Sequence, residues 1–300
     1  MTKEKSKGNQ ITEGIIWQQL LFFFFPILFG TFFQQLYNAA DAMIVGRFVG
    51  KEALSAVGGS TSMLTQLIVG FFVGLSSGAS VIVSQYYGAK RPEMVGYAVH
   101  TALMFSILSG IVLMFVGIGL APFLLESMGT PEDVLGLSVV YLRIYFAGII
   151  ANLVYNVGAA ILRAVGDSKR PLYVLICCAV INIVGDLVLV GVLHLGVAGA
   201  ALATVASQIV SVVLTFAMLR KTLKISKDER PLWWPHFCAE HMSQMIRLGF
   251  PLALQSMLFP IANSIVQAGV NTMGTDQIAA WGICDKMNML IWLISDSMGP

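Results

Sequence analysis

Two aspartates lie inside apolar stretches of this chain, where carboxylates are rare. Asp41 lies near the end of a stretch that begins at about Ile15, and Asp186 lies inside a second stretch, Leu172–Leu195. A carboxylate inside a membrane-spanning helix is costly unless it is paired, hydrated or protonated, and it usually marks an ion or proton pathway. Two of them on separate helices predict an ion-coupled membrane transporter.

The composition places these aspartates in a membrane protein. Hydrophobic residues make up 57% of the chain and charged residues only 11%, against roughly 25% charged residues in soluble domains. The net charge of +2 is split among the connections, which does not favour a nucleic-acid partner. The four cysteines form no disulfide framework and, with the histidines, no metal-ligand spacing. No nucleophile–base pair or phosphate-binding loop is present, so we do not expect an enzyme.

Eight stretches are long and apolar enough to cross a bilayer, which takes about 20 residues of helix. Pro26 lies inside the first stretch and has no backbone N–H donor, so we expect the first helix to bend there. The stretches are approximately Ile15–Ile44, Ala53–Tyr86, Gly96–Leu120, Ser138–Leu162, Leu172–Leu195, Val197–Leu219, Met245–Val270 and Ile278–Gly299.

The positive charges between these stretches predict the orientation. Thirteen Lys and Arg residues lie on the side of the N-terminus, and only Arg47 and Lys51 lie in connections on the other side. We expect the protein to lie in the cytoplasmic membrane. Because positive residues favour the cytoplasmic side, we expect its N-terminus in the cytoplasm. The longest connection, which follows Arg220, is rich in Lys and Arg and is expected to contact anionic lipid.

A weak parallel repeat suggests how the helices are grouped. The segment from Pro251 resembles the segment from Pro26, and six predicted spans separate the two, so both copies run in the same direction. We predict an all-α polytopic membrane protein, with a six-helix N-terminal bundle and the first two helices of a second bundle. The expected divisions are a cytoplasmic tail (residues 1–14), the bundle (15–220), a linker loop (221–244) and the start of the second bundle (245–300). A complete second bundle would extend beyond Pro300, so the sequence is expected to be a fragment or an incomplete two-bundle protein.

Several motifs resemble the multidrug and toxic compound extrusion (MATE) family, in its DinF-like branch. Pro26, Asp41, Val45 and Gly46 are followed by ALSAVG, as at the opening of family members. GASVIVSQYYGAKRPE, LRAVGDSKRP and NIVGDLVLV resemble later family segments. The resemblance implies two six-helix lobes around a cavity and alternating access driven by inward flow of protons or sodium.

The same resemblance implies a set of site residues in the N-terminal bundle. The coupling residues would be Tyr37, Asp41, Asn182, Asp186 and Thr204, with Asp41, Asp186 and Asn182 as possible sodium ligands. Tyr141, Pro26 and Asn156 would serve the cavity or its gating.

Helical spacing agrees with this assignment. Tyr37 and Asp41 are four residues apart, as are Asn182 and Asp186, so each pair shares a helix face. Oxygen ligands suit sodium, and two adjacent carboxylates suit a shared proton. One departure concerns the seventh helix, where sodium-coupled NorM-like members carry a glutamate. In this chain Phe259 stands at that position, and this favours coupling in the first bundle.

Three functional interpretations remain open at this point. The first is an antiporter that exports amphipathic or cationic drug-like compounds in exchange for protons or sodium, without another cofactor. The second is a flippase for lipid-linked precursors, and the third is a non-transporting membrane protein that binds lipid or a partner. Asp41 could also be a hydrated helix-end residue and Asp186 a structural hydrogen-bonding residue. The sequence leaves the substrate, the ion and the oligomeric state open.

Overall fold

The computed structural model describes residues 16–223 and 239–271, and within these ranges the chain is helical and contains no strand. The predicted tail, most of the predicted linker and the eighth predicted span, Ile278–Gly299, lie outside them. The helices are α1 (Ile16–Phe48), α2 (Lys51–Gly58), α3 (Ser60–Gly88), α4 (Pro92–Ser127), α5 (Glu132–Ala147), α6 (Ile149–Ala164), α7 (Lys169–Asp186), α8 (Gly196–Thr222) and α9 (Ala239–Asn271).

Six stretches within the described ranges are long and apolar enough to cross a membrane, and the pair α5–α6 makes up to seven. The expected all-α polytopic membrane fold is therefore confirmed. The pair α5–α6 corresponds to the single predicted span Ser138–Leu162 and is bent by 52°. The bend falls at Gly148, where a Cβ atom would lie 2.5 Å from Val205 of α8. The absence of a side chain thus lets α8 pack into the bend.

The two helices that carry the aspartates differ in regularity. Helix α1 continues through Pro26 without a break. Helix α7 ends at Asp186 and passes directly into a π-helical segment, Leu187–Val192. Such π segments are rare and frequently occur at functional sites. Nothing in the residue pattern of the sequence predicted this one.

The helices of the bundle pack around a main apolar core. Helix α7 lies between α1 and α8, and α6 contacts α3, α4 and α8. The main apolar core joins α3, α4 and α6, and its largest buried side chains include Leu103 and Ile161. Large apolar side chains on the outside, such as Phe22 and Phe115, are exposed, as expected for surfaces that face lipid.

Helix α9 approaches α3 unusually closely. A Cβ atom on Gly78 would lie 2.3 Å from the carbonyl oxygen of Met245, and one on Gly249 would lie 2.4 Å from that of Leu75. Small residues at such contacts let membrane helices pack backbone to backbone. The start of the predicted second bundle is therefore held directly against the first. The division into bundles itself stays a prediction.

Candidate ion-coupling site and central cavity

The two aspartates predicted from the sequence lie side by side. Helix α1 packs along α7, and this brings the carboxyl group of Asp41 close enough to that of Asp186 for their charges to interact, without a hydrogen bond between them. Asp186 is completely buried, whereas Asp41 is only partly buried. One carboxylate of the pair is thus partly accessible, and the other is enclosed by the protein.

Asn182 and Thr204 extend this pair into the bundle. Asn182, one helical turn before Asp186, is almost fully buried. Its side-chain amide donates a hydrogen bond of 3.3 Å to the hydroxyl oxygen of Thr204 on α8. The Thr204 hydroxyl in turn donates to the backbone carbonyl oxygen of Ala200, at 3.0 Å. Both polar side chains are therefore held in place by α8.

The oxygens of this cluster lack donors. Within the described residues, no hydrogen bond reaches Oδ1 of Asp41, either carboxylate oxygen of Asp186, or Oδ1 of Asn182. Buried polar atoms are nearly always hydrogen-bonded, and each exception calls for an explanation. Four such oxygens on neighbouring side chains make an environment that a proton or a hard cation would stabilise. No group of three or more His, Cys, Asp or Glu residues suited to a metal occurs in the described part of the chain.

A central cavity of about 870 Å³ opens beside the cluster. Its walls come from α1, α2, α3, α5, α6, α7, α8 and α9. Asp41 lines it, whereas Asp186 and Asn182 lie behind its wall. A volume of this size accommodates a drug-sized organic molecule.

The other predicted residues are distributed around this cavity. Tyr37, Tyr141, Thr204, Asn156 and Pro26 all line it. Asn156 donates to Asn152 through both the backbone carbonyl (2.9 Å) and the side-chain oxygen (3.0 Å). The structure thus brings seven of the eight predicted residues to the cavity or the carboxylate pair, and Asn182 joins them through Thr204. Their roles stay predictions.

Several cavity residues were missed by sequence reasoning. Tyr145 stacks on Tyr141 with ring centroids 6.4 Å apart, and Tyr155 also lines the cavity. Arg163 directly follows the predicted span Ser138–Leu162 and was counted among the thirteen Lys and Arg residues of the connections, but it belongs to the last turn of α6 and lines the cavity. The tyrosines recur on the α5–α6 segment, and that pattern was the signal available. No such signal existed for Arg163, because its position depends on where α6 ends.

The fold and the site define a class of protein, a multi-pass helical membrane protein with a carboxylate pair beside a large internal cavity. Comparison with known proteins narrows this class. The model of the MatE family matches residues 26–188, and the chain therefore belongs to the MatE family. Members of this family are transporters and not enzymes.

Relatives with curated descriptions agree with this assignment. The chain is 33% identical over 306 residues to the probable multidrug resistance protein YoeA of Bacillus subtilis. It is 30% identical over 298 residues to the probable multidrug resistance protein YpnP of the same organism. These alignments cover 100% and 98% of this chain, and 64% and 65% of the relatives. The Escherichia coli DNA damage-inducible protein F is 26% identical over 263 residues, which cover 85% of this chain and 55% of that protein.

Solved structures share the fold. A transporter of the MOP superfamily from Pyrococcus furiosus superposes with a TM-score of 0.86 at 26% identity, over 98% of this chain and 64% of that chain. A MATE transporter described in a bent conformation has a TM-score of 0.86, and one described in a straight conformation 0.85, both at 26% identity. Each of these alignments covers 98% of this chain and 65% of the other. The chain thus spans 55–65% of the length of these relatives.

Proposed function

We propose that this protein is a secondary active exporter of amphipathic or cationic organic compounds, driven by antiport of protons or sodium across the cytoplasmic membrane. The observation that supports the proposal most is the cluster of buried oxygens without donors beside the central cavity. Membership of the MatE family, and the names of relatives such as YoeA, support drug-like substrates.

The coupling step would take place at the carboxylate pair. Asp41 is reached from the cavity and adjoins the enclosed Asp186. Two adjacent carboxylates repel each other, and a proton or a sodium ion placed between them removes that repulsion. The ion would supply positive charge there, and the oxygens of Asp41, Asp186 and Asn182 would hold it.

The response of the bundle would follow from helix α1. Asp41 and Pro26 lie on this helix, and both line the cavity. Proline removes one backbone hydrogen bond from the helix, so bending costs least at that point. Ion binding would change the contacts of Asp41 with α7, and α1 would then bend at Pro26 and reduce the space for substrate. Solved structures of a similar transporter in bent and straight conformations support such a movement.

Replacement of Asp41 by Asn tests the proposal. The amide has the size of the carboxylate but cannot take up a proton or carry the charge, so we expect coupled export of ethidium from vesicles to fall to the background rate. The matched control is Asp133→Asn, which changes an exposed aspartate at the start of α5 and should leave export unchanged. Imposed proton and sodium gradients, applied separately, identify the ion. Full export by the Asp41→Asn protein would rule out the proposed coupling role.

A further inference from the structure

Arg163 lies where two cavities of the molecule meet. It lines the central cavity and also a second cavity of about 650 Å³ that lies between α1, α3, α6 and α9. Ser256 of α9 lines both cavities as well. A cation inside a membrane bundle is costly and generally needs a counter-charge or a water-filled space. The surroundings of Arg163 therefore indicate what this second cavity can hold.

No acidic side chain in the described ranges pairs with Arg163. The next arginine, Arg170, forms a 3.1 Å ion pair with Asp167. Arg163 has no such partner, and its guanidinium donates no hydrogen bond to a described residue. The phenol of Tyr155 is close enough to interact electrostatically with it. The guanidinium has five N–H donors, and Arg163 lines both cavities.

Asp41 forms no ion pair with Arg163. Leu20 and Phe23 of α1 line the second cavity together with Arg163. Asp41 follows Phe23 by 18 residues, which corresponds to about 27 Å along a helix. Asp41 does not line the second cavity, so the carboxylate pair lies well away from the part of α1 that faces this cavity beside Arg163.

The rest of the second cavity is amphipathic. Ser77, Ser80 and Ser84 of α3 lie along one side, with the three- and four-residue spacing of a single helix face. Apolar side chains, among them Leu20, Phe23 and Leu252, line other parts of the wall. A single cation with an apolar wall beside it matches a molecule with an anionic head and an apolar body.

We propose that this second cavity binds an amphipathic anion, with its phosphate or carboxylate head on Arg163 and its apolar part against Leu20, Phe23 and Leu252. The guanidinium matches both head groups, because it can form two parallel hydrogen bonds to them. The volume lies within the range of ligand pockets. The inference goes beyond the export of cationic compounds proposed above. A binding measurement tests it without transport, so neither proposal decides the other.

The test is the binding of dodecyl phosphate to the protein in phosphatidylcholine nanodiscs, by calorimetry with empty nanodiscs as the blank. Loss of a charged hydrogen-bonding partner should weaken binding by about 10- to 100-fold in Arg163→Gln. Arg163→Lys keeps the charge without the paired donors and should lose less. Arg91→Gln is the matched control, because it removes an exposed arginine that lines neither cavity and should bind like the wild type.

Dodecyltrimethylammonium gives a second measurement that needs no variant. It has the same apolar chain with a cationic head, so the wild-type protein should bind it at least about 10-fold more weakly. Equal affinity for the two probes would overturn the proposal, even if Arg163→Gln failed to fold. Wild-type affinity for dodecyl phosphate in Arg163→Gln would also overturn it, as would an equal loss in Arg91→Gln.

Anionic lipid then identifies the source of the ligand. If the natural occupant is a lipid, phosphatidylglycerol added to the nanodiscs should compete with dodecyl phosphate in the wild type, and no such competition should remain in Arg163→Gln. If the occupant is a soluble amphipathic anion, the added phosphatidylglycerol should lower the affinity of the wild type for dodecyl phosphate no more than it lowers that of Arg163→Gln. Both results support the anion site and differ only in its ligand.

Discussion

At the scale of single residues, Asp186 is the unusual group. It is fully buried in an apolar bundle, and neither carboxylate oxygen accepts a hydrogen bond from the described residues. An enclosed carboxylate without donors lowers stability when it is ionised. A residue that served only to hold helices together would instead have a hydrogen-bonding partner. This arrangement is the reason for proposing an ion-binding role for Asp186.

Replacement of Asp186 by Asn separates these two explanations. If the carboxylate is there for an ion, its neutral isostere should unfold at the same or a higher temperature, and the free energy of unfolding should rise by up to about 1–4 kcal/mol. Export should be lost at the same time. Thermal unfolding of the purified protein measures the first effect and vesicle transport the second. Asp133→Asn is the control for stability. A lower unfolding temperature in Asp186→Asn alone would show that Asp186 is a structural residue.

At the scale of helices, the contact between α3 and α9 is the most demanding. The backbones meet at Gly78 and Gly249, and α9 together with α3 also forms part of the second cavity. Backbone atoms cannot move aside as the end of a flexible side chain can. The position of α9, and with it one wall of the cavity, thus depends on the absence of two side chains.

We expect Gly78→Ala to lower stability. Its Cβ atom would lie 2.3 Å from the Met245 carbonyl oxygen and 2.5 Å from the Gly249 nitrogen, so α9 would have to shift, at a cost of about 1–3 kcal/mol. Gly88→Ala, in the same helix, meets nothing within 4 Å and should leave stability unchanged or slightly raised. Thermal unfolding of both variants in one detergent gives the comparison. Equal unfolding temperatures would mean that the close approach does not hold α9 in place.

Apolar patterns predicted the helices well, because membrane helices must be long and apolar whatever their neighbours. The carboxylate pair was also predictable, since Asp41 and Asp186 violate that pattern. The bend at Gly148 and the π segment after Asp186 were not, because they depend on contacts between helices, such as that of Gly148 with Val205. The cavity position of Arg163 was missed for a similar reason. A shift of one helical turn decides whether an arginine lies in a connection or inside the bundle.

At the scale of the whole molecule, positive and negative charges are separated along the bundle. Asp41, in the second half of α1, belongs to the carboxylate pair, whereas Arg163, in the last turn of α6, lies beside residues from the first half of α1 in the second cavity. Under the two proposals, the two groups would attract ligands of opposite charge. A cationic compound would be stabilised towards Asp41, and an anionic head group towards Arg163. Which of these two groups lies nearer the cytoplasm depends on the orientation of the bundle, which was predicted from loop charges alone.

That orientation can be measured with single cysteines at exposed lysines. Lys51 starts α2 and Lys169 starts α7, and both are exposed. The excess of Lys and Arg on the N-terminal side predicts that Lys169 faces the cytoplasm and Lys51 the outside. With the four native cysteines replaced by serine, a membrane-impermeant maleimide should label Lys51→Cys in intact cells. It should label Lys169→Cys only after the membrane is permeabilised.

The two positions act as controls for each other, because each must react once the cells are opened. The reversed pattern would place the N-terminus outside and Arg163 towards the exterior. The cavity would then present its cation to extracellular anions, and the direction proposed for export would be wrong. Labelling of both cysteines in intact cells would contradict the bundle itself, because α1 and the helices that follow it could not all cross the membrane. The expected pattern instead places Arg163 where an anionic molecule from the cytoplasm or the inner leaflet would meet it first.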